Sequence, residues 1–410
     1  MRKVVAAFLM ITGIAFSAFS QPATVSAELE QAYRASYQLF MDAYKQKDYV
    51  TAETELIKFR NKFIGMPASI QRNYPGVIAN QYYCLSCVNA LNGNKNKAIL
   101  YLDSAARNGY SNYKNMLTDT DLNGLREEKR FKIILQQIRE KGDYGYILQK
   151  SGAYNRKDKR VAVKFTYQDS NAPELVKFRK QYKLDSVGGN GDEISRFKNL
   201  LLWVHHVVSH DGNSNNPIHK NAVDLIDICK KENRGVNCRM MATVLRDTYQ
   251  AMGFKSRTVT CMPKDTADFD CHVITVVWSE TKNKWLWMDP TFNAYVSDAK
   301  GTLLNVEEVR AKLITGEPLV LNEDANWNNK TKKTKEDYLD YYMSKNLYWI
   351  NCDVKNEWDV ETRGIGKPLL EIVHLYPGGF TRIKGNKVIS KSDITYATNN
   401  VADFWAKPGS

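Results

Sequence analysis

The sequence predicts an α+β protein: an all-α helical-repeat region in front, then a domain of helices packed on an antiparallel sheet. Three observations carry this expectation. Residues 27–143 keep a helical period almost throughout. The period is lost over 144–160, where "GDYGYILQKSGAYNRKDKR" brings in glycine and charge. From Phe254 to Thr291 the pattern turns to strands. With 410 residues the chain exceeds one ordinary core, so several domains are expected. The divisions read as a signal peptide over 1–20, a helical-repeat domain over 21–143, a linker over 144–160, an α+β domain over 161–330 and its C-terminal extension over 331–410.

The first segment, "MRKVVAAFLMITGIAFSAFSQ", has Arg2 and Lys3 before an apolar run from Val4 to Phe19, and small residues before Gln21. That is the grammar of a cleavable secretory signal cut after Ser20, so a periplasmic or secreted protein is expected. No other stretch approaches membrane-spanning length, so no stable span is expected. The formal charge is +13, but the lysines are scattered and no arginine-aromatic patch suggests nucleic acid. Anionic envelope polymers are compatible partners for such a charge, but solubility alone is the preferred reading. Seven cysteines, an odd number, leave at least one thiol unpaired in an oxidising compartment.

In the helical region, "AYKQKDYVTAETELIKF" ends one helix near Lys47 and starts another at Asp48. "YYCLSCVNALNGNKNKAILYLDSAARNGY" does the same around Asn92-Gly93. Ala52 and Ala98 stand just inside the second helix of each pair, where a facing helix must come close. This pattern resembles divergent tetratricopeptide repeats, with "DTDLNGLREEKRFKIILQQI" as a closing segment. Cys84 and Cys87 share a helix face. A metal pair would need two further ligands nearby in sequence, and none appears, so core packing is expected.

Beyond the linker, "ELVKFRKQYKLD" and "DEISRFKNLLLWVHHVVSH" read as helices. A third helix follows "GVN" with Cys238 at its start, since Met241, Val244, Leu245, Tyr249 and Met252 recur at helical spacing and Gly253 closes it. Backbone N–H groups at a helix start favour a thiolate; a buried structural cysteine is the competing reading. "DFDCHVITVVW" then puts His272 at the start of a strand. "NKWLWMDPTF" puts Asp289 at the end of the next, joined through the polar "SETKNK". In an antiparallel pair the start of one strand neighbours the end of the other, so His272 and Asp289 are expected to meet. A helix packed across that sheet would bring the Cys238 thiol to the imidazole. The segment over 331–410 reads as a helix from Lys335 to Met343 with short strands, and no chemistry is evident in it.

The order of a cysteine on a helix start, a histidine on a strand and an aspartate on the adjacent strand resembles the transglutaminase-like superfamily. The resemblance runs through "GVNC", "VLRDTYQAMGFKSRTVT", "CHV" and "WLWMDPTF". It implies a papain-like fold, with Cys238 as nucleophile, His272 as general base and acid, and Asp289 as the group that orients the imidazole. It implies attack on an amide through an acyl-enzyme, without cofactor or metal. The substrate implied is a peptide or protein, with a cell-envelope component among the candidates. The sequence departs from the family at Val273 and Ile274 after the histidine, and at Arg239 and Met240 after the cysteine, where aromatics are common. Arg239 would place a positive charge near the thiolate. The Cys238 backbone N–H is expected to form half of an oxyanion hole. The second donor is open: the Trp203 indole stands at a plausible distance, though packing beside Leu200 and Leu201 suits it better.

Several residues compete for other roles. His206 and His210 lie four apart, as in metalloprotease helices, with His219 as a third ligand. Val207 stands where the glutamate should follow, so packing beside the cysteine helix is the preferred reading. His374 stands alone and reads as structural. Cys261 ends one strand and Cys271 begins the next, so a disulfide across the hairpin mouth is expected. The function expected is that of a peptidase or deamidase if water accepts the acyl group, and of a transglutaminase if an amine does. The residues do not choose between them, although an exported chain meets water in excess. The rival class is an inactive binding protein, whose helical repeats and cleft hold a peptide or envelope ligand. Oligomeric state is not encoded legibly.

Overall fold

The structure is a computed structural model describing residues 27–159, 164–364 and 366–409. The expected signal peptide over 1–20 lies outside the described residues. The chain divides into two compact units, Met1–Ile147 and Leu148–Ser410.

Among its described residues the first unit is all-helical. Its main elements are α1 (Ala27–Lys45), α2 (Tyr49–Ile64), α3 (Gly76–Leu91), α4 (Lys95–Arg107) and α5 (Lys129–Gly142). The α1–α2 turn falls where sequence grammar puts it. Lys47 takes a left-handed conformation, and Asp48 caps α2 by accepting from the Thr51 N–H at 3.0 Å. Gly93 makes the equivalent left-handed turn between α3 and α4. Ala52 and Ala98 are fully buried. Cys84 and Cys87 are buried too, but the fold brings distant carboxylates to Cys87, which sequence spacing does not reveal. Its Sγ lies 3.8 Å from Asp119 Oδ2. Asp119 accepts from the Tyr83 hydroxyl at 2.8 Å, and Asp121 from the Tyr44 hydroxyl at 2.7 Å. Burial pushes the Asp121 carboxyl up from its ordinary value. Tyrosine hydroxyls thus satisfy both aspartates and tie the closing segment to the hairpins.

The expected linker over 144–160 is built differently. Tyr144–Gln149 is helical. Ser151 accepts from Arg310 Nη2 at 2.6 Å. Gly378 N–H donates to the Ala153 carbonyl at 3.1 Å, and Asn155 N–H to that of Asn399 at 3.0 Å. A Cβ on Gly152 would lie 2.0 Å from the Gly378 carbonyl oxygen. Glycine and charge here mark a close backbone crossing, not a free tether.

The second unit contains α6 (Pro173–Gln181), α7 (Glu193–Val207), α8 (Ala222–Glu232) and α9 (Cys238–Ala251). Its main sheet has seven strands: β1 (Ser256–Met262), β2 (His272–Ser279), β3 (Lys284–Met288), β4 (Trp349–Asp353), β5 (Leu370–Leu375), β6 (Lys387–Ile389) and β7 (Asp393–Thr398). Their order is β6-β7-β5-β4-β1-β2-β3. Every pairing is antiparallel except β5 with β7. Four of the seven strands come from the C-terminal segment, so the sheet is completed by residues beyond 330.

Helix α9 is the centre of this unit. Every residue from Met240 to Ala251 is buried. It rests on the sheet through Met241, Val244 and Leu245, which share a core with Val277, Leu286 and Met288. Thr275 Oγ1 donates to the Ala242 carbonyl at 2.9 Å. Arg246 and Asp247 are buried as a pair, and Asp247 Oδ2 accepts from the Ala222 N–H at 3.0 Å, which seats the start of α8.

Candidate active site

Asn237 caps α9 by accepting from the Met240 N–H at 3.1 Å. The next residue, Cys238, is the first of the helix and is half-buried. His272 opens β2 at the end of the sheet and is buried. Asp289 follows β3 and is fully buried.

The ladder between β2 and β3 runs to Thr275 opposite Met288. Carried one step further, it sets Asp289 opposite Ile274, two residues from His272. The two side chains therefore meet diagonally rather than head-on. His272 Nε2 donates to Asp289 Oδ2 at 2.6 Å. Nδ1 is left for the thiol of Cys238, whose charged form both His272 and His210 favour.

The ionisation follows from these contacts. Burial pushes the Cys238 thiol up, but hydrogen bonds from His210 and His272 outweigh it and bring the thiol down to about 6. Burial pushes the His272 imidazole down, but the charge and hydrogen bond of Asp289, then Cys238, raise it to about 10. The pair rests as thiolate and imidazolium near neutral pH.

Three groups that sequence reasoning does not assign complete the site. Tyr338 donates to Asp289 Oδ2 at 2.6 Å and accepts from Trp287 Nε1 at 3.1 Å. Tyr342 has its ring 5.2 Å from that of His272, and Phe292 stands 5.4 Å away. Tyr338 and Tyr342 lie on a π-helix, Glu336–Met343, an irregularity frequent at functional sites. Two tyrosines four apart in the expected helix were the available signal.

The histidines of "WVHHVVSH" separate. Helix α7 ends at Val207, so His206 and His210 do not share a helical face, which removes the basis of the metal reading. His206 and His219 are exposed. His205 is buried, 2.9 Å from the Pro290 carbonyl and 3.0 Å from Asn326 Oδ1. His210 instead forms a parallel bridge with Val236, two residues before the cysteine.

Of the remaining expectations, some change and others hold. Arg239 does not serve the thiolate: its guanidinium pairs with Glu361 at 3.3 Å and donates to Thr260 Oγ1 at 2.8 Å. Trp203 packs between aromatic rings, 5.7 Å from Tyr182 and 6.5 Å from Phe178. Cys261 and Cys271 are both free thiols. The register sets Cys261 opposite His272, which leaves Cys271 one residue out of step with it and the expected disulfide unformed. His374 is structural, its Nδ1 lying 2.7 Å from the Tyr376 hydroxyl.

Residues 180–290 match the family model described as the Transglutaminase-like superfamily. No curated protein matches the chain. Among solved structures, a "Putative Cysteine Protease" from Cytophaga hutchinsonii matches at 15% identity and a TM-score of 0.24, over 36% of this chain. This chain spans about half, 48%, of that one's length. The chain thus has an all-helical N-terminal region followed in sequence by a transglutaminase-like domain.

Proposed function

We propose that the protein is a cysteine-dependent amide hydrolase working through Cys238, His272 and Asp289. The observation that carries this reading is the buried imidazole of His272, bonded through Nε2 to Asp289, with His272 and Cys238 each favouring the other's charged form. A thiolate at a helix start with a charged imidazole beside it is the resting form such chemistry needs.

In the proposed reaction, Cys238 Sγ attacks the amide carbon and the C=O pair moves onto oxygen. His272 Nδ1–H gives its proton to the leaving nitrogen as the C–N bond breaks. A thioester remains. Water then attacks that carbon while His272 Nδ1 takes its proton, the C–S bond breaks, and the thiolate returns. An amine in place of water would give transamidation by the same steps. Asp289 keeps the imidazole oriented and compensates its charge.

The export signal read over 1–20 supports an activity outside the cytoplasm, on peptide or protein amides of the envelope, with the helical region as a candidate peptide-holding platform. Incubation of the protein with peptide amides, followed by intact-mass spectrometry, tests the reading. Cys238→Ala should abolish turnover and the acyl adduct. His272→Ala should leave the thiol alkylated more slowly at neutral pH. Turnover by Cys238→Ala would refute the mechanism, and absence of turnover with alkylation indifferent to His272 would return the protein to the binding class.

A further inference from the structure

A thiolate that attacks a carbonyl creates an oxyanion, which a dry site must meet with fixed donors. One donor is evident. Cys238 is the first residue of α9, so its backbone N–H has no partner within the helix. A single N–H is rarely enough, and the second donor must come from outside the helix.

The segment Ser209–Asp211 is held in place as if for that purpose. Val236 N–H donates to the Ser209 carbonyl at 3.0 Å, and Asp211 N–H to the Val236 carbonyl at 2.8 Å. Gly235 allows this approach, since a Cβ there would lie 2.6 Å from the Ser209 oxygen. Asn328 clamps the backbone of His210 from the other side. Its Oδ1 accepts from the His210 N–H at 2.7 Å, and its Nδ2 donates to the His210 carbonyl at 2.9 Å. Asn328 and Asn329 take left-handed conformations to make this turn. Finally, Trp327 Nε1 lies 3.1 Å from His210 Nδ1. An indole nitrogen only donates, so Nδ1 must accept, and the proton of the neutral ring sits on Nε2.

We propose that His210 is the second oxyanion donor, acting through Nε2–H beside the Cys238 backbone N–H, with Trp327 setting its tautomer. The proposal rests on the acyl-transfer reading above. In the resting protein the same imidazole stands near enough to the thiol to favour its charged form. On attack, the sulfur gives up its negative charge to the new C–S bond and the charge appears on the carbonyl oxygen. The donor then follows the charge from sulfur to oxygen, a shift that needs no new residue.

The role separates from mere activation of the thiol by using two probes on the same cysteine. Acylation by p-nitrophenyl acetate passes through an oxyanion; alkylation by iodoacetamide does not. Both rates are measured on the full chain at pH 8, where the thiolate is largely formed. His210→Ala should lower the ratio of acylation to alkylation rate by about 10²–10³-fold, since any loss of thiolate enters both rates alike. His210→Gln, which restores an N–H donor, should recover most of the acylation rate. Trp327→Phe should lower acylation partway with alkylation unchanged. An equal fall in both rates, or acylation unaffected by His210→Ala, overturns the proposal. If Cys238→Ala still becomes acylated, the fault lies with the acyl-enzyme reading instead.

Discussion

Asp289 is a fully buried carboxylate whose oxygens are all engaged. Oδ2 accepts from His272 and Tyr338, and Oδ1 from the Thr291 N–H at 2.9 Å. A buried charge needs such donors, because each one lost leaves desolvation uncompensated. Tyr338→Phe removes one donor and little volume. It should destabilise the protein by about 1.5–3 kcal/mol, read from urea melts, while iodoacetamide still labels Cys238. A loss below about 0.5 kcal/mol would mean the hydroxyl does not support the carboxylate. The same residues fix the pH response. As pH falls through about 6 the Cys238 thiolate takes up a proton and the nucleophile is lost. As pH rises through about 10 the His272 imidazolium gives up its proton and the leaving group loses its acid. Acylation rate against pH should therefore be a broad bell with limbs near those values, which belong to the coupled pair rather than to either residue. A rate rising monotonically beyond that upper limb would contradict an imidazolium acid.

At the scale of elements, the junction before α9 decides whether the site assembles. Gly235 permits the close backbone approach, Val236 makes the bridge to His210, and Asn237 caps the helix. Gly235→Ala pushes a methyl into the Ser209 carbonyl and the Asp211 backbone. It should cost about 1–3 kcal/mol and slow acylation more than alkylation, since it displaces His210 rather than Cys238. Unchanged stability would show that the Ser209–Asp211 strand yields freely. This junction also marks how far sequence alone reaches. Cys238 with its helix, and His272 and Asp289 on neighbouring strands, follow from periodicity and strand order, which are local signals. His210, Tyr338 and Trp327 do not, because their roles depend on contacts between residues far apart in the chain. His210 is hidden by a tempting i, i+4 spacing with His206, and only the end of α7 at Val207 separates the two. The hairpin disulfide fails for a similar reason: its plausibility rests on sequence position, while register alone decides which thiols face each other.

At the scale of the whole molecule, the question is which residues make up the folding unit around the site. Strand β1 lies inside the sheet, flanked by β2 on one side and β4 on the other. Arg257 in β1 is fully buried and stacks on Phe165 at 4.1 Å and Trp285 at 4.2 Å, and donates to the Phe404 carbonyl at 3.0 Å. Without residues 331–410, β1 becomes an open edge, Arg257 loses its carbonyl, and Asp289 loses Tyr338. A chain ending at 330 should therefore not melt cooperatively, since an unpaired β1 and an uncompensated buried guanidinium both act against it. A chain beginning at Leu148 retains the whole sheet, the α6–α9 core and every residue of the site. It also keeps Ser151, Ala153 and Asn155, which bond to Arg310, Gly378 and Asn399; a chain beginning at Tyr154 would lose the first two. The Leu148 fragment should melt as a single transition by circular dichroism and should alkylate Cys238 at the rate of the full chain. If it is unfolded while the full chain is stable, the helical region belongs to the same cooperative core, and its role is to hold the fold rather than to meet a substrate.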